Sequence, residues 1–290
     1  MTMAPLPITA AVAACKRVES LLKSLRKIAS CEPPPAEILV HLDGNSPEIL
    51  DRLRKEFPTA RLIGSDHLIG PGGGRNALTR EARNPWVAHF DDDSFPSTPD
   101  YFAIAAKLIA ANPEVAVWSA TIISHEPSPE PGSLWLNAVY PGCGHLMSQA
   151  WFSKTRGYLP LPCAYNLEEV DVSLQLHASG ALCIQAADLK VWHDHPNPVR
   201  ETHDTEVLMM INTILFPLLR YPLSALPQGF FSILRRAFKL SKLPGGLSVL
   251  ARTANRLPAT IRQNFHHRNP LPSKSTWSWL LLRRERLRLH

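Results

Sequence analysis

The chain has 290 residues, 45% hydrophobic and 19% charged, a balance that supports a buried core and excludes a disordered chain. Its five cysteines (Cys15, Cys31, Cys143, Cys163, Cys183) contain no CxxC pair, which speaks against a zinc ribbon or disulfide framework and favours a reducing cytosol. The net charge of +6 divides into +13 from Arg220 to His290 and −7 before it, which excludes a uniformly basic nucleic-acid binder.

Ile8 to Ala14 reads as a strand, and Val18 to Ile28 as a helix with Leu21, Leu22, Leu25 and Ile28 on one face. A second strand, Glu37 to Leu42, runs into Asp43-Gly44-Asn45-Ser46-Pro47, where Pro47 marks a helix start. Ile49 to Phe57 follows as a helix and Ala60 to Ile63 as a third strand. This alternation predicts a right-handed parallel α/β sheet with ligands at the carboxyl ends of its strands. Leu68 to Leu78 is a glycine-rich loop opening a helix, with Gly74, Arg75 and Asn76 at its end. It is neither a P-loop nor a GxGxxG fingerprint, but its glycines would let backbone N–H groups approach an anion, and Arg75 adds a phosphate partner.

Trp86 to Phe90 is a short apolar strand that ends in Asp91-Asp92-Asp93. Three like charges there need either a solvated turn or a cation. Oxygen ligands at a strand end suit a hard ion such as Mg²⁺ or Mn²⁺, which in turn holds substrate phosphates. Tyr101 to Ala111 is a helix, Val115 to Ile123 a strand, and His125 to Pro131 a polar loop able to form a site wall. Gly142 to Met147 places glycine where close approach is needed. Asn166 to Leu176 starts a helix with Glu168, Glu169 and Asp171 in its first turn, acids that complement the macrodipole or serve as a base. The last strand, Leu189 to Trp192, ends in His193-Asp194-His195-Pro196, where a histidine beside a metal becomes a ligand.

In this order, a strand-end Asp, a glycine-rich loop with Arg-Asn, a DxD, a Glu-Glu helix start and a His after a strand resemble the family 2 inverting glycosyltransferases of the GT-A fold. The resemblance runs from about Ile8 to Pro222. It implies a mostly parallel sheet sandwiched by helices and a nucleoside-diphosphate sugar lying across its carboxyl edge. Carried over, Arg17, Asp43, Gly74, Arg75, Asn76, Asp91 and Asp92 bind the nucleotide sugar. Asp91, Asp93 and His193 hold Mg²⁺ or Mn²⁺, and Glu169 is the base, with Glu168 and Asp171 the other acids within reach. The first motif departs from the family: Ala13-Ala14-Cys15-Lys16-Arg17 keeps only the arginine of Pro-Thr-x-Asn-Arg, so UDP, dTDP and GDP donors all remain open. A nucleotidyltransferase of similar fold lacks support, because Ile8 to Val18 has no glycine-rich basic loop. A non-catalytic nucleotide-sugar or anionic-polymer binding protein is the alternative from another class.

Residues 207–290 read as a helical, basic extension to a catalytic domain over residues 1–206. Phe230 to Leu240 and Trp277 to Arg284 interleave apolar and basic residues, the composition of an interfacial amphipathic helix at an anionic membrane. The run Val207 to Leu219 has 13 residues and includes Asn212, Thr213 and Pro217, short of the roughly 20 needed to span a bilayer. No basic region precedes the apolar stretch Pro5 to Ala14, so no signal peptide is expected. The expected setting is cytoplasmic, peripheral at the inner face of the cell membrane, with a glycan or lipid-linked acceptor and no nucleic acid.

Overall fold

The computed structural model describes residues 6–44, 46–123, 129–159, 167–194, 203–285 and 287–289. Three β-α units come first: β1 (Leu6–Ala14), α1 (Val18–Ala29), β2 (Pro35–Asp43), α2 (Pro47–Glu56), β3 (Arg61–Ser65) and α3 (Gly70–Glu81). β4 (Trp86–Asp91), β5 (Ser94–Pro96), α4 (Tyr101–Ala111), β6 (Val115–Ile123), β7 (Leu134–Leu136), β8 (His145–Ser148) and α5 (Gln149–Phe152) follow. α6 (Glu168–Ala178) and β9 (Leu182–His193) complete the body. The C-terminal part is α7 (His203–Arg220), α8 (Leu226–Ser241), α9 (Gly246–Asn264), α10 (Ser273–Leu282) and β10 (Leu287–Leu289).

The strands form one sheet in the order β10-β7-β9-β6-β8-β4-β1-β2-β3, with β5 added on β9. β1, β2, β3 and β4 pair in parallel, as do β6 and β9. β8 runs antiparallel between β4 and β6, so both of those long strands still point the same way. The fold is therefore α/β with a mostly parallel central sheet. Parallel strands covered on both faces are apolar throughout. Along β1, Ala10 and Val12 face a cluster with Leu21, Leu25, Phe102 and Ala105 of α1 and α4, while Ala11 faces Leu78 of α3. This alternation sets a helical layer on each side of the sheet.

The carboxyl ends of β2, β4 and β9 lie on one edge, bringing Asp43, Asp91 and His193 to the same side. β5 sharpens this convergence: Ser94 pairs with His193 and Phe95 with Trp192 in antiparallel register. The chain thus folds back after Asp93 directly onto the end of β9.

Three elements differ from expectation. β9 has twelve residues, far longer than Leu189 to Trp192, because its first half pairs with both β6 and β7. β8 has only four residues, and its place comes from partners on both sides rather than from a pattern of its own. The glycine-rich run is helical from Gly70 onward rather than an open loop. A Cβ on Gly74 would stand 3.0 Å from His41 Nδ1 and one on Gly72 would stand 3.3 Å from Tyr158 Cβ, so small residues are needed for α3 to lie close against β2 and the Tyr158 segment. Of the loop expected to wall the site, residues 125–128 lie outside the described residues, as does His195.

The C-terminal part is joined to the body at several points. β10 pairs with β7, Trp279 Nε1 donates to Ala138 O at 2.7 Å, and Arg220 reaches Asp171.

Candidate active site

Two arginines organise the carboxyl edge. Arg17 stands at the N-cap of α1, half-exposed, and its guanidinium is ion-paired with Asp92 and, at 2.5 Å, with Asp93. Asp92 and Asp93 are buried in the turn after β4. Burial pushes the Asp92 carboxyl up to about 6, against the pull of Arg17. Asp93 accepts instead from two sides: Arg17 Nη1 on Oδ2, and His193 Nε2 at 3.1 Å on Oδ1. Burial opposes charge on His193, but the hydrogen bond to Asp93 outweighs it and raises the imidazole to about 10.

Arg75 is the second organiser. It is 3% exposed, and its Nη2 donates to Asp91 Oδ1 at 2.7 Å while Nη1 donates to Glu169 Oε1 at 2.9 Å. Burial works against its charge, but Asp91 first and Glu169 next keep the guanidinium ionised. The tyrosine and histidine rings near it are neutral. Tyr140 and Tyr158 hydroxyls lie 3.1 Å apart, Tyr158 Oη lies 3.3 Å from His145 Nε2, and His145 stacks on His89. Burial, helped by Arg75, pushes His89 down to about 3, so that ring adds no competing charge. A single cation on a neutral floor directs its field to the two carboxylates it touches.

The three acids of α6 have separate fates. Asp171 is fully buried and sealed by Arg220 Nε at 2.5 Å, Arg220 Nη2 at 3.2 Å and Gln175 Nε2 at 2.9 Å. Glu168 turns back on its own helix start, where Oε2 accepts from Leu167 N at 3.1 Å. Glu169 alone pairs with Arg75 within hydrogen-bond distance while keeping part of its side chain in contact with solvent. Both glutamates are raised above their ordinary value, chiefly by burial, with Arg75 pulling the other way.

Arg17, Asp91, Asp92, Asp93, Arg75, Glu168, Glu169 and His193 therefore meet at one edge. Asp43, Gly74 and Asn76 lie beside them but are engaged within the protein. Asp43 accepts from Ser65 Oγ and from the backbone N–H groups of Ile69 and Gly70, at 2.8 to 2.9 Å. The anion that meets the start of α3 is thus the protein's own carboxylate. Asn76 holds Tyr158 through both amide atoms, each at 2.9 Å. Sequence reasoning missed Cys143. A carboxylate oxygen of Asp91, Cys143 Sγ and a ring nitrogen of His193 all lie within 4.8 Å of one another, a donor set that fits a divalent cation. The available signal was a thiol held between two glycines, Gly142 and Gly144.

The family model for glycosyl transferase family 2 matches residues 9–164, more than half of the chain. The chain belongs to glycosyl transferase family 2. No curated protein matches it. Among solved structures, this family 2 chain is similar to the mannosyltransferase PcManGT from Pyrobaculum calidifontis, a complex with GDP-Man and Mn²⁺. That similarity has 16% identity and a TM-score of 0.59 over 97% of this chain and 88% of that one. It is also similar to S. aureus TarS 1-349 in complex with UDP-GlcNAc, at 11% identity and a TM-score of 0.52 over 89% and 91%. At such identities the likeness shows a shared fold.

Proposed function

We propose that the chain is a metal-dependent, inverting glycosyltransferase of the hexosyltransferase type. It moves a sugar from a nucleoside-diphosphate donor to a hydroxyl of a glycan or lipid-linked acceptor. The observation that carries this reading is Arg75, which holds Asp91 of the DxD turn and Glu169 of α6 on one buried guanidinium. That bridge fixes a diphosphate-side carboxylate and a candidate base at a constant separation. The neighbours' donors, GDP-Man and UDP-GlcNAc, belong to the same chemical class.

In this reading Glu169 takes the acceptor hydroxyl proton as its oxygen attacks the anomeric carbon in line, which inverts that centre in one displacement. Asp171 is unavailable for this, being sealed by Arg220. Burial, with a smaller contribution from the Asp91 carboxylate, raises the proton affinity of Glu169 against the pull of Arg75. Arg17, ion-paired with Asp92 and Asp93, would hold that turn where the donor's ribose and diphosphate meet it. Asp91 and His193, with Asp93 hydrogen-bonded to the imidazole, would hold Mg²⁺ or Mn²⁺, and such an ion would supply positive charge to the departing diphosphate.

The membrane-facing part of the reading rests on α8. No helix among the described residues is long and apolar enough to cross a membrane. α8 nevertheless exposes Phe230, Phe231, Leu234 and Phe238, each at least 50% exposed, while Ile233, Ala237 and Leu240 pack inward on α7. Arg235, Lys239 and Lys242 flank that outward stripe, and Lys242 lies over the Phe238 ring at 4.2 Å from its centre. Exposed aromatics beside cations suit an anionic bilayer surface. The deciding experiment is nucleoside-diphosphate release over a panel of UDP-, dTDP- and GDP-sugars, with Mn²⁺ or Mg²⁺ and with EDTA. Turnover of one donor that vanishes with EDTA and in Asp93→Ala supports the reading. Binding of donors with no transfer to any acceptor and no hydrolysis would leave a nucleotide-sugar binding protein.

A further inference from the structure

The Asp91, Cys143 and His193 cluster has a thiol in it, and the backbone around that thiol fixes its place. Cys143 is buried between Gly142 and Gly144. A Cβ on Gly142 would stand 2.5 Å from Glu169 Oε1 and 2.9 Å from Arg75 Nη2. A Cβ on Gly144 would stand 2.8 Å from Val191 Cγ2, and that residue has φ +69°. Gly144 N donates to His89 O and Gly144 O accepts from Ala120 N, both at 2.8 Å. The turn is therefore wedged between the Arg75–Glu169 pair and β9, with no room for a side chain on either flank. Its one side chain is set beside His193, with Sγ 3.7 Å from Nδ1.

That spacing has a specific meaning. For a tetrahedral ion with metal–sulfur and metal–nitrogen bonds of about 2.3 and 2.0 Å, those two ligand atoms stand about 3.5 Å apart. The third donor, Asp91, is within 4.8 Å of both. Asp93 occupies the other side of the ring, on Nε2, and its second oxygen is taken by Arg17. A carboxylate hydrogen-bonded to one ring nitrogen of a histidine fixes the ring and orients the opposite nitrogen toward a metal. We propose that Asp91, Cys143 and His193 form a mixed oxygen, sulfur and nitrogen site for a divalent transition-metal ion, with Asp93 acting on the ion through His193. This rests on the metal-dependent reading above and changes its expected selectivity. Thiolate and imidazole donors favour Zn²⁺ or Co²⁺ over Mg²⁺, which takes oxygen ligands. On binding, the Cys143 thiol gives up its proton to solvent and the thiolate pair is donated to the ion.

The test uses the reduced full chain with Co²⁺ alone as the probe. Binding through sulfur produces a near-ultraviolet thiolate-to-cobalt charge-transfer band, which Zn²⁺ should abolish by displacement and excess Mg²⁺ should not. Cys143→Ser is expected to remove the band, whereas Cys15→Ser, altering a second thiol near the acids, keeps it. Asp93→Asn is expected to keep the band while weakening Co²⁺ binding by about 10- to 100-fold. If Cys143→Ser does not fold, His193→Gln supplies the same reading by losing the band. The proposal is overturned if wild type shows no band, whether or not Co²⁺ binds, or if the band survives in Cys143→Ser. EDTA-sensitive sugar transfer without the band would remove the thiolate ligand and keep the transferase reading. The band together with EDTA-insensitive transfer would do the reverse.

Discussion

Glu169 and Asp171 stand two residues apart on α6, and each meets one arginine, yet the two ion pairs are different objects. Arg220 and Asp171 are sealed: the two side chains are 1% and 0% exposed, and both carboxylate oxygens have donors. Arg75 and Glu169 are buried from below but open toward the sheet edge, and Glu169 keeps solvent contact. A sealed pair returns its desolvation cost only as geometry, here by fastening the end of α7 to α6. An open pair leaves a carboxylate that can accept a proton from outside. Access, not charge, separates the sealed acid from the one proposed as the base.

The comparison breaks most visibly if the sealed pair is cut. Arg220→Ala leaves Asp171 buried without its cation and is expected to cost about 3–5 kcal/mol in urea unfolding. The paired change Asp171→Leu with Arg220→Met should recover most of that loss; a double variant as unstable as the single would show that the pair is not the cause. Cutting the open pair should act on rate instead. Glu169→Gln is expected to lower kcat by about 10²- to 10⁴-fold with the unfolding midpoint little changed, read from nucleoside-diphosphate release beside a melting curve.

The pH profile sharpens the same contrast. Burial raises Glu169 above its ordinary value, so the deprotonated base is lost as pH falls through that raised value. The acid limb of kcat/KM should therefore lie above the usual Glu range near about 4.3. Arg75→Met removes the cation that opposes the shift, and the limb should move to still higher pH. A limb that stays fixed in Arg75→Met would assign it to another group. The smallest effect is expected at α8. Arg235→Glu and Lys239→Glu should each weaken binding to anionic vesicles by about fivefold or more, from roughly 1 kcal/mol per basic residue at the surface. Equal sedimentation of wild type and variant with those vesicles would remove α8 from the membrane reading.

Much of this was legible in residue order. The β-α alternation up to Ile63 follows from apolar period and turn residues, and Tyr101–Ala111 and Val115–Ile123 have the bounds that their patterns predict. Strands of one direction also bring the ends that carry Asp91 and His193 to one edge, and the family resemblance implied that Arg75 and Glu169 join them. Local pattern could not supply β8, whose four residues are fixed by neighbours on both sides. Nor could it show that the glycine run closes into a helix capped by Asp43.

What the sequence by itself determined is therefore the order of strands and helices, the carboxylates at the sheet edge, and the charge division between body and tail. Each of these depends on neighbours a few residues apart along the chain. Only the tertiary structure decided which acid of α6 is sealed and which is open, that Asp93 stands behind His193, and that Cys143 joins Asp91 and His193. Those outcomes turn on atoms tens of residues apart meeting within a few ångströms, and on how much water reaches them.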